Sequence, residues 1–168
     1  VPRPVAVDMA TVASLPAPPS VFLSPASDAF TPQAAPGTHA LLEHLLPRGT
    51  VVGILTKGRI PDRTLDLLAR YPAQIEGIVV GLTSLDDERN RVLEPGCPPA
   101  AERLDNLRRI AEQGLIAALR LDPLFPVIDD APAALERLLD EAAERHAVGV
   151  TATYVFGWGR YLRRLRDE

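Results

Sequence analysis

Five short apolar runs recur along the chain, and helical periodicity follows each of them. They lie at residues 21–23, 50–55, 75–82, 115–121 and 148–156. The run at 75–82 is almost continuously apolar, as a parallel strand buried on both faces is. Between the runs, Leu41, Leu42, Leu45 and Leu46 mark one face of a helix over 38–46. Leu65, Leu67 and Leu68 do so over 62–71, with Asp62 expected as its cap. A short helical turn is expected at 86–92. A longer helix runs from Pro98-Pro99 to Gln113, where Gly114 stops it. Leu135, Leu138, Leu139 and Ala142 form the stripe of a helix over 132–146, and 158–166 reads as a closing helix. Strands that alternate with helices imply an α/β fold with a parallel sheet and right-handed crossovers. Five such units suit a doubly wound sheet or part of a (β/α) barrel, and periodicity does not choose between them.

Residues 1–19 are set apart by Pro2, Pro4, Pro16, Pro18 and Pro19, which fix φ and remove donors. They read as an extended lead-in, with a short helix over 7–14, and residues 20–168 as the α/β domain. The chain begins at Val1 and its only Met is at position 9, as in a processed or truncated protein. A net charge of −4 gives no reason to expect a polyanion-binding domain as a whole. The single cysteine excludes an internal disulfide and a multi-cysteine metal site within this chain. No apolar run approaches the roughly 18 residues of a membrane span. The cytoplasm is the default expectation.

Charged and small polar groups cluster where strands end, which is where parallel α/β proteins build sites. Ser27 and Asp28 follow the first strand within a Pro/Ser-rich stretch. They can hold a polar ligand, or Asp28 can simply cap the turn. Lys57 ends the second strand, where its ammonium can pair with a carboxylate or phosphate, or lie in solvent. Arg120 and Asp122 are two apart in a strand and so face one side. They make an ion pair, either structural or substrate-orienting. Cys97 has no base near it in sequence and reads as an incidental loop thiol. His39, His44 and His146 read as surface or capping residues. Gly157 and Gly159 open the closing helix as a weak phosphate-binding signal, and Arg160, Arg163, Arg164 and Arg166 form a basic cluster beyond it.

Four pieces in order resemble a known family. They are residues 24–32 (SPASDAFTP), 54–58 (ILTKG), 79–107 (from VVGLTSLDDERNRVLEPGC to ERLDNL) and 119–130 (LRLDPLFPVIDD). Together they are similar to the radical S-adenosylmethionine enzymes of the spore-photoproduct-lyase-like branch. The resemblance implies a partial (β/α) barrel of about five units that lacks the first unit of the family barrel. It implies S-adenosylmethionine and a [4Fe–4S] cluster as cofactors. It also implies cleavage of S-adenosylmethionine to a 5′-deoxyadenosyl radical that abstracts hydrogen, lyase-like and DNA-repair-like chemistry, and a nucleic-acid substrate. By resemblance Ser27 and Asp28 lie in the cofactor or substrate cleft, and Lys57 meets the methionyl carboxylate. Gly81 stands where relatives often carry a cofactor-touching serine, and Thr83 or Ser84 is the expected replacement. Arg120 and Asp122 line the barrel interior beside the substrate. The family's C-x3-C-x2-C cluster motif is absent. Two accounts fit this: the first βα unit with its cluster loop has been removed, or the chain is a degenerate member that has lost the cluster. An N-terminal segment or a partner chain is expected to complete the barrel. Two other functions remain open: a cluster-free domain that binds phosphate or nucleotide through Lys57 and the Gly157/Gly159 turn, and a non-catalytic interaction module.

Overall fold

A computed structural model describes residues 7–23 and 27–155. The closing helix expected at 158–166, the Gly157/Gly159 turn and the basic cluster lie outside the described residues. The order of elements is α1 (Met9–Ser14), β1 (Ser20–Leu23), α2 (Ala35–Leu45), β2 (Val51–Thr56), α3 (Asp62–Ala69), β3 (Ile75–Gly81), α4 (Asp87–Leu93), α5 (Ala100–Glu112), β4 (Ala117–Leu124), α6 (Pro132–Glu144) and β5 (Val150–Tyr154). In α1, the Asp8 carboxylate accepts from the Ala10 and Thr11 amides, so one capped turn interrupts the proline-rich lead-in.

The five strands form one parallel sheet in the order β1-β2-β3-β4-β5. Sequential order decides what periodicity left open. Right-handed crossovers that all step the same way put the main crossover helices, α2, α3, α5 and α6, on one face. A doubly wound sheet would reverse its order once. The chain is thus an α/β fold of partial-barrel type. Burial follows the pleat. Val52, Ile54, Ile78, Val80, Leu119 and Leu121 are buried in the core, together with Leu42, Leu68, Leu107, Ile110 and Leu138 from the helices. The alternate residues, Phe22, Leu55, Val79 and Arg120 among them, face the other side and are less covered.

Among the differences from the sequence expectation, three have a clear physical reason. Helix α2 starts at Ala35 and takes Pro36 into its first turn, where a missing N–H breaks no intrahelical bond. Asp62 is the first residue of α3 and does not cap it. Pro61 holds the cap position, and the Asp62 carboxylate pairs with Arg109 of α5. Strand β4 starts at Ala117 and reaches Leu124. The missing N–H of Pro123 falls within the register irregularity between Leu121 and Leu124, so no ladder bond is lost. Gly114 ends α5 with φ of 72°, as expected of a C-terminal glycine.

The β2–α3 loop is pinned from α5. Asn106, fully buried, accepts from the Ile60 amide at 3.2 Å and from Arg109 at 2.9 Å, and donates to the Gly58 carbonyl at 2.7 Å. Truncating it takes the acceptor from the buried Ile60 amide and one of two donors from the Gly58 carbonyl. Asn106→Ala should lower unfolding stability by about 2–4 kcal/mol in a denaturant titration. A loss under about 0.5 kcal/mol would show that the loop holds its place without it.

Candidate functional site

The C-terminal end of β2 and the turn after it converge on the carboxylate of Asp28, which lies between β1 and α2. One oxygen, Oδ1, accepts from the Phe30 amide at 2.8 Å and from the Thr56 hydroxyl at 2.7 Å. The other, Oδ2, accepts from the Lys57 amide at 2.5 Å and the Gly58 amide at 3.1 Å. With four donors on it, Asp28 ties the loop after β1 to the turn after β2. Its geometry is that of a residue holding the Lys57 turn. Ser27 beside it is exposed.

Lys57 points along the sheet rather than into solvent. Its Nζ lies 2.5 Å from Glu94 Oε1, and the two side chains are 28% and 6% exposed. Glu94 Oε2 in turn pairs with Nη1 of Arg103, whose side chain is 1% exposed. Arg103 also donates through Nε to the Pro98 carbonyl at 2.7 Å and through Nη1 to the Gly81 carbonyl at 3.3 Å. Its Nη2 has no hydrogen-bond partner among the described residues. A cation in the first turn of α5 opposes the helix dipole, and burying it adds a desolvation cost of several kcal/mol. Glu94 is the group that offsets both. The lysine stem crosses Gly81: a Cβ there would lie 2.9 Å from Lys57 Cγ and 3.0 Å from Cε.

Gly81 pairs in register with Arg120 of β4, so Lys57 and Arg120 share the less covered face of the sheet. The side chains of Arg120 and Asp122 face the same way, as their spacing requires, and pair through Nε at 2.8 Å and through Nη2. Thr83 is brought elsewhere. It is buried and lines a cleft of about 140 Å³ with Ser84, Asp86, Arg89, Asp129 and Arg137. Within that cleft Asp129 Oδ2 accepts from the Phe125 amide at 3.1 Å, while Oδ1 is 3.5 Å from Arg89 and makes no hydrogen bond. Burial raises the Asp129 carboxyl above its ordinary pKa, against the lowering effects of the Phe125 amide and Arg89.

Glu94 and Arg103 are the site residues that sequence reasoning missed. A signal was present. Arg103 is spaced 4 and 7 residues from Leu107 and Ile110, so a charge stands in the apolar stripe of α5. Cys97 also turns out to lie in this neighbourhood. Burial pushes its thiol above the ordinary value; Arg103 and Lys57 act to lower it and Glu94 to raise it. No group of three or more His, Cys, Asp or Glu suited to a metal occurs among the described residues, and no described helix is long and apolar enough to cross a membrane.

No protein-family model matches the chain. Two curated relatives are similar in sequence. An uncharacterized protein of Acidianus two-tailed virus, ORF301, is 32% identical over 151 residues, or 88% of this chain and 48% of the relative. An uncharacterized protein of Mycobacterium tuberculosis, Rv2578c, is 34% identical over 130 residues, or 74% of this chain and 37% of the relative. The chain thus spans half or less of their length. Two solved structures are similar in fold. Spore photoproduct lyase with bound S-adenosylmethionine and a dinucleoside spore photoproduct matches with a TM-score of 0.63 at 16% identity, over 89% of this chain and 45% of that one. SuiB of Streptococcus suis bound to S-adenosylmethionine matches with a TM-score of 0.59 at 17% identity, over 88% of this chain and 34% of that one. The chain has the fold of the radical S-adenosylmethionine enzymes.

The Cys97 environment has a direct chemical readout. Because burial outweighs the two cations, alkylation of the native thiol by iodoacetamide should show a pH midpoint above the value of about 8.5 for free cysteine. A midpoint below that value would mean that Lys57 and Arg103 prevail.

Proposed function

We propose that this chain forms the S-adenosylmethionine-binding part of a radical S-adenosylmethionine enzyme domain, with Lys57 as its carboxylate anchor. The observation that carries this is the Lys57 ammonium, fixed at a strand end beside Gly81 on a fold whose solved neighbours bind S-adenosylmethionine. An ammonium has three donors, and among the described residues Glu94 is the one side chain that accepts from it, so the residues fit a ligand carboxylate. Asp28 fixes the Lys57 backbone, and the exposed Ser27 hydroxyl beside it is open to the polar parts of the cofactor. Arg120 and Asp122 belong to the substrate side. A nucleic-acid substrate and a repair-like lyase activity are supported by the motif likeness to the spore-photoproduct-lyase branch, and the Arg120 guanidinium suits a phosphate.

The cluster is a different matter. A [4Fe–4S] cluster of this enzyme type is held by three thiolates and enables reductive cleavage of the bound S-adenosylmethionine. The chain has one cysteine, Cys97, so its own residues do not fit a cluster. No redox step is assigned to them. We place the thiolates outside these residues, in keeping with relatives of which the matched region spans 48% and 37%.

The test is calorimetric titration of the chain with S-adenosylmethionine and with its decarboxylated analogue. The wild type should prefer S-adenosylmethionine. Lys57→Ala should lose roughly 10- to 100-fold in affinity for it, the equivalent of about 1.5–3 kcal/mol for a hydrogen bond to a charged group. The variant should no longer distinguish the two ligands. Lys57-dependent binding of ATP or inorganic phosphate, with none of S-adenosylmethionine, would overturn the proposal.

A further inference from the structure

We infer that Gly81, Glu94 and Arg103 act together as positioning residues for Lys57, and that the absent side chain at position 81 is what lets the lysine cross from β2 over the end of β3. This deepens the carboxylate-anchor reading and rests on it for the ligand, though not for the geometry.

Three observations converge. First, the space a Cβ would take at Gly81 is filled by the lysine stem, with Cγ at 2.9 Å and Cε at 3.0 Å. Any side chain at 81 has to displace Lys57. Second, the far end of the stem is caught by Glu94 at 2.5 Å. Glu94 comes from the segment after α4, and its backbone amide donates to the Asn90 carbonyl at 2.8 Å, which fixes where the carboxylate stands. Third, Arg103 holds the other Glu94 oxygen and also reaches the Gly81 carbonyl. The guanidinium is buried at an unfavourable helix end, with one nitrogen unsatisfied among the described residues. A group kept at such cost, with every bond it does make directed at Glu94 or its surroundings, is explained by what it orients. The ammonium is thereby held in one place before a ligand arrives, which lowers the ordering cost of binding.

The same geometry separates positioning from folding. The atoms that a new Cβ would strike are those of a flexible side chain, not backbone. Gly81 is also not in the left-handed region. Gly81→Ala should therefore fold with near wild-type stability and yet move Lys57.

The experiment uses the whole chain, wild type, Gly81→Ala and Glu94→Gln. Ammonium signals of lysines are recorded by 15N–1H NMR without ligand, and S-adenosylmethionine affinity and urea stability are measured alongside. In the wild type, the Lys57 ammonium should give a signal protected from water exchange. In Gly81→Ala that signal should shift or vanish, with the urea midpoint retained and affinity reduced about tenfold. Glu94→Gln should lose the signal too. Because it leaves Arg103 charged and buried, it should also lose stability, which is why the glycine variant is decisive. An unchanged Lys57 signal and unchanged affinity in Gly81→Ala would overturn the inference while leaving the carboxylate anchor standing. No binding of S-adenosylmethionine by the wild type, with the signal present and sensitive to Gly81→Ala, would overturn the proposed function and leave the positioning device in place.

Discussion

The Asp28 carboxylate is the knot on which the arrangement of this site depends. A single side chain accepts from Phe30 in its own loop and from Thr56, Lys57 and Gly58 at the end of β2. A carboxylate surrounded by amide and hydroxyl donors makes charge-assisted bonds about twice as strong as neutral ones. The turn it fixes starts the path of Lys57. From there the chain of contacts runs through Glu94 to Arg103 and into the first turn of α5. The lower part of α5 is tied back to the same turn by Asn106 on Gly58. The strand end is thus closed into a ring by polar groups from four segments.

The energetic character of that ring differs from the rest of the domain. Elsewhere the sheet and helices are held by apolar burial, as at Ile54, Ile78, Leu107 and Leu119. Volume-conserving exchanges there are generally tolerated. The ring instead contains a buried arginine with one nitrogen unsatisfied among the described residues. An apolar packing of the same volume is often as stable or more stable. Such a departure from local consistency is expected at functional positions.

Much of the fold is legible from residue order. The run at 75–82 reads as a strand because both faces of a central parallel strand are buried and its side chains are apolar on each. Gly114 marks a helix end because only glycine takes positive φ without strain. The pairing of Arg120 with Asp122 follows from the period of two. What periodicity does not carry is the direction in which successive crossovers wind. Sequential order, and with it a sheet having its main crossover helices on one face, appears only in the pairing of the strands. The Asp62 cap expected from residue type was displaced by a long-range partner, Arg109, which local preference does not register.

For the site, the residue order marked the chemistry-bearing groups: Asp28 and Lys57 follow apolar strands, and Arg120 and Asp122 stand two apart within one. Only the tertiary structure decided their partners. Glu94 and Arg103 lie 37 and 46 residues beyond Lys57 in sequence, and nothing in residue order pairs them with it. They become an ion-pair network because parallel crossovers bring the end of β2, the end of β3 and the start of α5 to one edge of the sheet. Cys97 remained a lone thiol in both views, but its raised pKa comes from burial, and burial is a property of the folded chain alone.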